Sequence, residues 1–503
     1  MLGIQKKLSN PFLALLAMPA TAVGFALSTQ IAALSWILSN KYNLDIHEVA
    51  FVWLAGPLAG IFGQVIVGLV SDNVWFMGGR RRPFIIIGGI ISSIAFLCLP
   101  YIQEISQITG ISDIIIIASL IALFLDLSVN VTFNPARSII ADLTPEGKVR
   151  TAGYVWMQIM SGFFGVLAYF LSMVFGNETL LYIASVIVLV AAVFPILLIQ
   201  ERKEQEEKHV EVKQEKYGVG MIFKEIYPLY GFLAFGLFSL FFHFFQEELK
   251  DFHNPVLITA LVYSVVIGIF NIISGIRKPS DKKEFQKIML AHSFTWVAFQ
   301  SMFILSGFFV ENQIIPNMAD MKITANWFAE SLTGVTQTTE SSIGNIVSLG
   351  FFILNFVGAL FPLVLQFVAS KIGRVKTYIS ALSLSAIGYF FIALAGRTEM
   401  DFYLGMFLAG IGWSAVISIV FAIMSERVNP AKMGLFMGVF NLAVVLPQMM
   451  SNGVANVIKQ TGDYQLLFMI CGVLVTMSVV FWIFVKEPES SVNKSPAHSG
   501  GGH

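Results

Sequence analysis

The fourth long apolar run of the chain, near 114–141, holds the residues best equipped for chemistry: Asp126, Asn130 and Arg137. Asp126 lies about 12 residues into the run, which puts it about 18 Å along a helix, near the middle of a hydrocarbon core about 30 Å thick. A carboxylate at that depth costs about 2.5–3.5 kcal/mol on insertion scales, so such acids face a cavity or a partner and are functional by default. Burial disfavours the charged form and a nearby cation favours it; a carboxyl balanced between the two can load and release a proton. Asn130 follows at i+4 and Arg137 at i+11, so all three fall on one helical stripe, with Phe133 between them at i+7. Asp126 and Arg137 are about 16 Å apart along the axis, so a link between them needs a substrate or a neighbouring helix. Plainer roles exist for each. Asp126 could be half of a structural pair, Asn130 interhelical glue, and Arg137 a snorkelling cation or a brace for Asp142.

The elements that position these residues follow from composition. Of 503 residues, 56% are hydrophobic and 12% charged, about half the charge of an ordinary soluble chain. A soluble enzyme, a disordered chain and a nucleic-acid binder are poor fits, and 31 basic against 31 acidic residues leave no net field for an acidic polymer. Cys98 and Cys471 both lie in apolar runs, so neither a disulfide framework nor a thiolate metal site is expected. No metal and no soluble cofactor is implied.

Apolar runs of spanning length occur near 12–38, 49–71, 84–101, 114–141, 151–175, 180–199, 228–245, 256–276, 288–310, 346–370, 377–395, 402–424, 433–458 and 465–485. With the N-terminus inside and alternating crossings, 25 of the 31 Lys and Arg fall on the inner side and 5 on the outer, leaving Arg137 in a span. That asymmetry predicts both termini in the cytoplasm. The first run is too long, and lacks the cleavage pattern, for a removed signal peptide.

The chain divides in two. Residues 1–200 form a predicted N-terminal six-helix bundle, 201–227 a charged linker containing ERKEQEEKHVEVKQEK, and 277–486 a C-terminal six-helix bundle. Residues 487–503 read as a disordered cytoplasmic tail. Between linker and second bundle, 228–276 reads as an inserted hydrophobic hairpin, giving 12+2 spans; a pair of helices lying on the cytoplasmic face is the other reading. The halves repeat. The loop SDNVWFMGGRRRP at 71–83 matches SKIGRVK at 370–376, and IIADLTPEGKVRTAG at 139–153 matches IMSERVNPAKMG at 423–434. Such duplication marks transporters that rock one bundle against another.

Ser71-Asp72 followed by Gly79-Arg80-Arg81-Arg82-Pro83 resembles the cytoplasmic loop signature of the major facilitator superfamily. WLAGPLAG (53–60), QVIVGLVSD (64–72) and GRRRPFI (79–85) resemble its sucrose/proton symporter branch, which includes plant sucrose transporters and their bacterial and animal relatives. LDLSVNVTFNPARSIIADL (125–143) and GVFNLAVVLPQ (438–448) are similar to that branch's fourth and eleventh helices, and AHSFTWVAF (291–299) weakly resembles the start of its second half. Residues 311–345 do not match the plant pattern, and 228–276 resembles instead the hairpin of proton-coupled peptide transporters.

The resemblance implies an all-α polytopic membrane protein of the major facilitator fold, a proton acceptor at Asp126 that also touches sugar, a sugar contact at Asn130 and an arginine essential to transport at Arg137. It also implies that Asp72, Arg80, Arg81 and Arg82 form a conformational latch on the cytoplasmic side; a pure topology signal is the plainer reading. Sugars are bound by many polar groups and by flat apolar faces. Gln30, Trp156, Trp296, Asn441 and Gln448 are therefore candidate contacts, with Ser28, Trp36 and His292 beside them. Asn441 and Gln448 are two turns apart and share a face, and Pro447 frees backbone carbonyls there. Lone aromatics are more often packing or interfacial anchors, and His292, near a span end, reads as interfacial or structural.

The expected function is proton-coupled symport of a disaccharide or glucoside such as sucrose or maltose, by a monomer whose partners are sugar, proton and lipid bilayer, with no nucleic acid. No HExxH, CxxC, GxxxxGK[ST] or GxSxG motif supports an enzyme. Drug or lipid efflux and a non-transporting sugar sensor are the rival readings. The positive loops and the lack of targeting signals fit a bacterial inner membrane; an organellar membrane fits the same pattern.

Overall fold

The computed structural model describes residues 5, 7–61, 75–145, 148–201, 223–321, 339–428 and 433–487. The first half comprises α1 (Asn10–Trp36), α2 (Ile46–Ile61), α3 (Arg82–Cys98), α4 (Ile114–Leu143), α5 (Lys148–Phe175) and α6 (Asn177–Leu198). The hairpin is α7 (Tyr230–Phe242) and α8 (His253–Arg277). The second half comprises α9 (Asp281–Phe309), α10 (Thr339–Ile372), α11 (Arg374–Ala395), α12 (Glu399–Ser425), α13 (Met433–Gln448), α14 (Ser451–Thr461) and α15 (Leu466–Ile483).

Apolar length makes these segments helices, because only a helix satisfies its own backbone in a bilayer. Local signals set where they start. Asp45 accepts from the N–H groups of His47 and Glu48 while Glu48 returns to the Asp45 N–H, a capping box at the head of α2. Asp113 caps α4, Ser280 caps α9, and Thr398 with Asp401 boxes α12. Gly462, in the left-handed region at φ 68°, ends α14.

Among the described residues, twelve helices are long and apolar enough to cross a membrane, including both arms of the hairpin. Two of the expected fourteen runs differ. The 49–71 run passes into residues that are not described, and its described helix is Ile46–Ile61. The 433–458 run is two helices rather than one: Pro447 lacks the N–H that would continue the ladder, and α13 gives way to α14 through a turn at Met449 and Met450.

Each half packs the same way. α1 lies against α5 and α6, and α3 against α4 and α6; in the second half α9 lies against α13 and α15, and α11 against α12 and α15. Both first helices widen into a π-turn near their ends, at Ile37–Lys41 and Val310–Ile314. Both third helices start on a borrowed carboxylate. Glu201 accepts from the N–H groups of Arg80, Arg81 and Arg82 at 2.9, 3.1 and 2.8 Å, and Glu487 accepts from those of Arg374 and Val375 at 3.1 and 2.8 Å. Each satisfies the orphan donors of a helix start with a charge its dipole favours.

Direct hydrogen bonds join the halves on the side away from the termini. Ser348 Oγ donates to Ser172 Oγ at 2.9 Å, and Lys459 Nζ meets Asp45 Oδ2 at 2.6 Å. The hairpin turn sits on that side and touches both halves. His243 stacks on Phe51 with ring centroids 4.0 Å apart, while the Asn456 amide lies 2.9 Å from His253 Nδ1 and Asn254 donates to Gln460 at 2.6 Å. α8 packs along α9 on the second half.

Candidate functional site

A cavity of about 1010 Å³ lies between the halves, at the upper end of the range for small-molecule sites, about 300–1,000 Å³. Asp126 is in its wall, 7% exposed, and Oδ2 accepts from Gln30 Nε2 at 3.0 Å. The residue facing it on α2 is Gly56, where an added Cβ would sit 3.5 Å from Oδ2, so the α2 backbone passes close to the carboxylate. Asn130 also lines the cavity, and its amide donates to the Asp126 carbonyl at 2.9 Å, one turn back.

The helical stripe continues as its spacing requires, since α4 is unbroken through Pro135. Phe133 lines the cavity, and the Arg137 guanidinium lies over its ring, 3.8 Å from the centroid. That cation–π contact holds Arg137 one turn beyond Phe133, towards the terminal end of the helix, and Arg137 is not among the lining residues.

The second half supplies Trp296, Asn441 and Gln448, all in the wall. Asn441 and Gln448 share the cavity face of α13. Trp296 Nε1 donates to His292 Nε2 at 2.8 Å. Of the two readings expected for His292, interfacial or structural, it is not interfacial. It is fully buried, because α9 begins at Asp281, seven residues before the predicted start of that span, and carries His292 well inside the bundle. Trp156 does not reach the cavity. α5 presents Gln158, Ile159, Ser161, Gly162, Phe163 and Gly165 there, whereas Trp156 is half-buried in packing against the core.

The arginines at the start of α3 form a different cluster. Arg80 and Arg81 meet Asp142 at 2.9 and 3.3 Å, and Arg82 donates to the Ile196 carbonyl at 3.1 Å. These contacts, with the Glu201 cap, tie α3, α4 and α6 together within one half. In the second half Arg374 does the same with Glu426 at 2.7 Å and with Glu487. Asp72 lies outside the described residues.

Sequence reasoning missed Gln158, Gln300, Asn355 and Trp413, which also line the cavity. Gln300 alone carried a signal: it follows Trp296 by one turn. Cys98 and Cys471 are free thiols, and among the described residues no cluster of His, Cys, Asp and Glu could hold a metal ion.

The wall therefore combines one buried carboxylate, several amides and three tryptophans, Trp53, Trp296 and Trp413, at the junction of two repeated bundles. Comparison with known proteins bears on that arrangement. The family model described as Major Facilitator Superfamily matches residues 16–316 and 313–501. The chain is 29% identical over 168 residues to sucrose transport protein SUC4 of Arabidopsis thaliana, covering 32% of each chain. It is 26% identical over 252 residues to the general alpha-glucoside permease of Schizosaccharomyces pombe, covering 44% of each. The matched stretches thus span about a third to under a half of these relatives. Among solved structures, the nucleoside transporter NupG, in a mutant form, superposes with a TM-score of 0.62 at 13% identity, over 95% of this chain and 100% of that one. A POT family transporter in complex with 5-aminolevulinic acid superposes with a TM-score of 0.62 at 16% identity, over 94% and 96%. These two likenesses concern the fold.

Proposed function

Because the chain belongs to the Major Facilitator Superfamily and is an integral membrane transporter with sucrose and glucoside transporters among its relatives, we propose that it carries a disaccharide or glucoside together with a proton. The observation that carries this reading is the Asp126–Gln30 pair in the wall of a cavity lined by amides and tryptophans. A drug or lipid exporter needs an apolar pocket; this wall offers donors and acceptors to hydroxyls, and flat rings to C–H faces.

In the proposed cycle, the outward-open protein loads a proton on Asp126 and sugar against Asn130, Gln300, Asn441 and the tryptophans. Neutralising Asp126 lowers the cost of occluding the carboxylate. The halves then rock, Asp45–Lys459 and Ser348–Ser172 close the outer side, and both ligands leave towards the terminal face. Arg137, held over Phe133, lies on that exit side. A potential of 100 mV supplies about 2.3 kcal/mol per proton, about fifty-fold accumulation at one proton per sugar. The excess of Lys and Arg on the terminal side supports cytoplasmic termini, and a bacterial inner membrane is the proposed location. The transporter is proposed to work as a monomer.

The test is accumulation in liposomes under an imposed inward proton gradient, with labelled sucrose, maltose, glucose and trehalose. Uptake of one sugar that collapses with an ionophore is the expected result. No uptake and no binding of any of them would overturn the sugar reading.

A further inference from the structure

We infer that His292 is a positioning residue for the cavity: by accepting the indole proton of Trp296 it fixes an aromatic corner, Trp296 with Trp413, against which the sugar ring packs. The inference rests on the sugar reading above and adds a residue to which that reading gave no role.

His292 is fully buried and makes a contact on each side of its ring. Nε2 accepts from Trp296 Nε1 at 2.8 Å, and Nδ1 lies 3.3 Å from the Tyr378 hydroxyl. An acceptor at Nε2 requires the neutral tautomer with its proton on Nδ1, so the ring donates to Tyr378 on α11 while it receives from Trp296. Its face stacks on Phe440 of α13, with centroids 5.1 Å apart and planes 14° apart. Three helices thus hold one imidazole, and it in turn holds one indole. Phe440 is also the neighbour of Asn441, which lines the cavity.

The corner is built around that indole. Trp296 meets Trp413 edge to face at 5.7 Å and 81°, and Trp413 is backed by Phe299 at 5.2 Å and Phe303 at 5.4 Å. On α10, Gly358 leaves room for Trp413: a Cβ there would come within 2.8 Å of Cδ1. Both tryptophans line the cavity. Without an acceptor behind it, the Trp296 N–H would seek a partner in the cavity, turning the ring and competing with sugar hydroxyls.

Two variants separate the roles of the ring. His292→Phe keeps an aromatic face for Phe440 and removes the acceptor; His292→Gln removes the ring and returns an oxygen near the Nε2 position. Sugar transport is measured in liposomes, and the Trp296 environment by fluorine NMR of fluorotryptophan-labelled protein, with its resonance assigned by Trp296→Phe. The expected result for His292→Phe is a moved Trp296 resonance and a KM raised about tenfold with Vmax within about twofold, the pattern of lost binding. His292→Gln should restore both towards wild type. An unmoved resonance in His292→Phe, a moved resonance with wild-type KM, or a fall in Vmax alone would each overturn the positioning role. Wild-type protein that transports no sugar would overturn the reading on which this one rests, and is told apart because the resonance still moves.

Discussion

Asp45 and Lys459, 414 positions apart in the chain, meet at 2.6 Å and join the two halves on the side away from the termini. Both are partly exposed, so the pair is worth about 0.2–1 kcal/mol. Asp45→Asn or Lys459→Gln should shift the population towards outer opening by about 1.4- to 5-fold, read as spin-label distances between the outer ends of α2 and α14. The difference should shrink in high salt. Burial alone would raise the Asp45 carboxyl, but the Lys459 hydrogen bond and the N–H groups of Glu48 and His47 outweigh it and hold its pKa below the usual 3.8. A depressed carboxyl contributes in full above its ordinary pKa and loses the contribution only as pH falls through the lowered value. Closure by this pair should therefore be flat across about pH 5–8.

Transport driven by pH should depend instead on Asp126. Asp126→Asn should abolish accumulation under a proton gradient and retain sugar exchange down its own gradient, because the neutral amide imitates the loaded carboxyl. Counterflow in proteoliposomes checks both halves of that expectation; full proton-driven accumulation by the variant would remove Asp126 from the coupling role.

Two of the tryptophans named from sequence, Trp296 and Trp156, should behave differently. Trp296→Ala removes an aromatic surface from the cavity wall, a loss of about 0.5–1.5 kcal/mol, and should raise the sugar KM about 2- to 13-fold. Trp156→Phe, in core packing rather than in the cavity wall, should leave KM unchanged and act on thermal stability if on anything. Initial-rate measurements on the purified pair settle the comparison.

Glu201→Ala and Glu487→Ala each strip a helix start of its carboxylate. Each should cost about 0.5–2 kcal/mol, as loss of a helix cap does, and lower the melting temperature in detergent. Because the two sites belong to different halves and share no partner, the double variant should show the sum.

Much of this arrangement was legible in the residues. The Asp126–Asn130–Phe133 stripe follows from helical spacing alone, and it holds because α4 runs unbroken past all three. The repeated loops at 71–83 and 370–376 foretold two equivalent helix starts, although not the distant Glu201 and Glu487 that complete them. What the spacing could not supply is which way an amphipathic residue faces when its whole helix is apolar. In α5 and α9 hydrophobic residues surround the axis, so Trp156 and Trp296 look alike until the neighbours are in place. Gln158, Asn355 and Trp413 escaped notice for the same reason, and the depth of His292 was hidden because polar residues extend α9 beyond its apolar stretch.

The turn at Met449–Met450 separates two tasks within one crossing. On one side of it α13 carries Asn441 and Gln448 into the cavity; on the other, α14 carries Lys459 to Asp45 and Asn456 to the hairpin. The break puts the residues facing the cavity and those clamping the far side on separate helices, so a displacement at one need not pass along a continuous rod to the other.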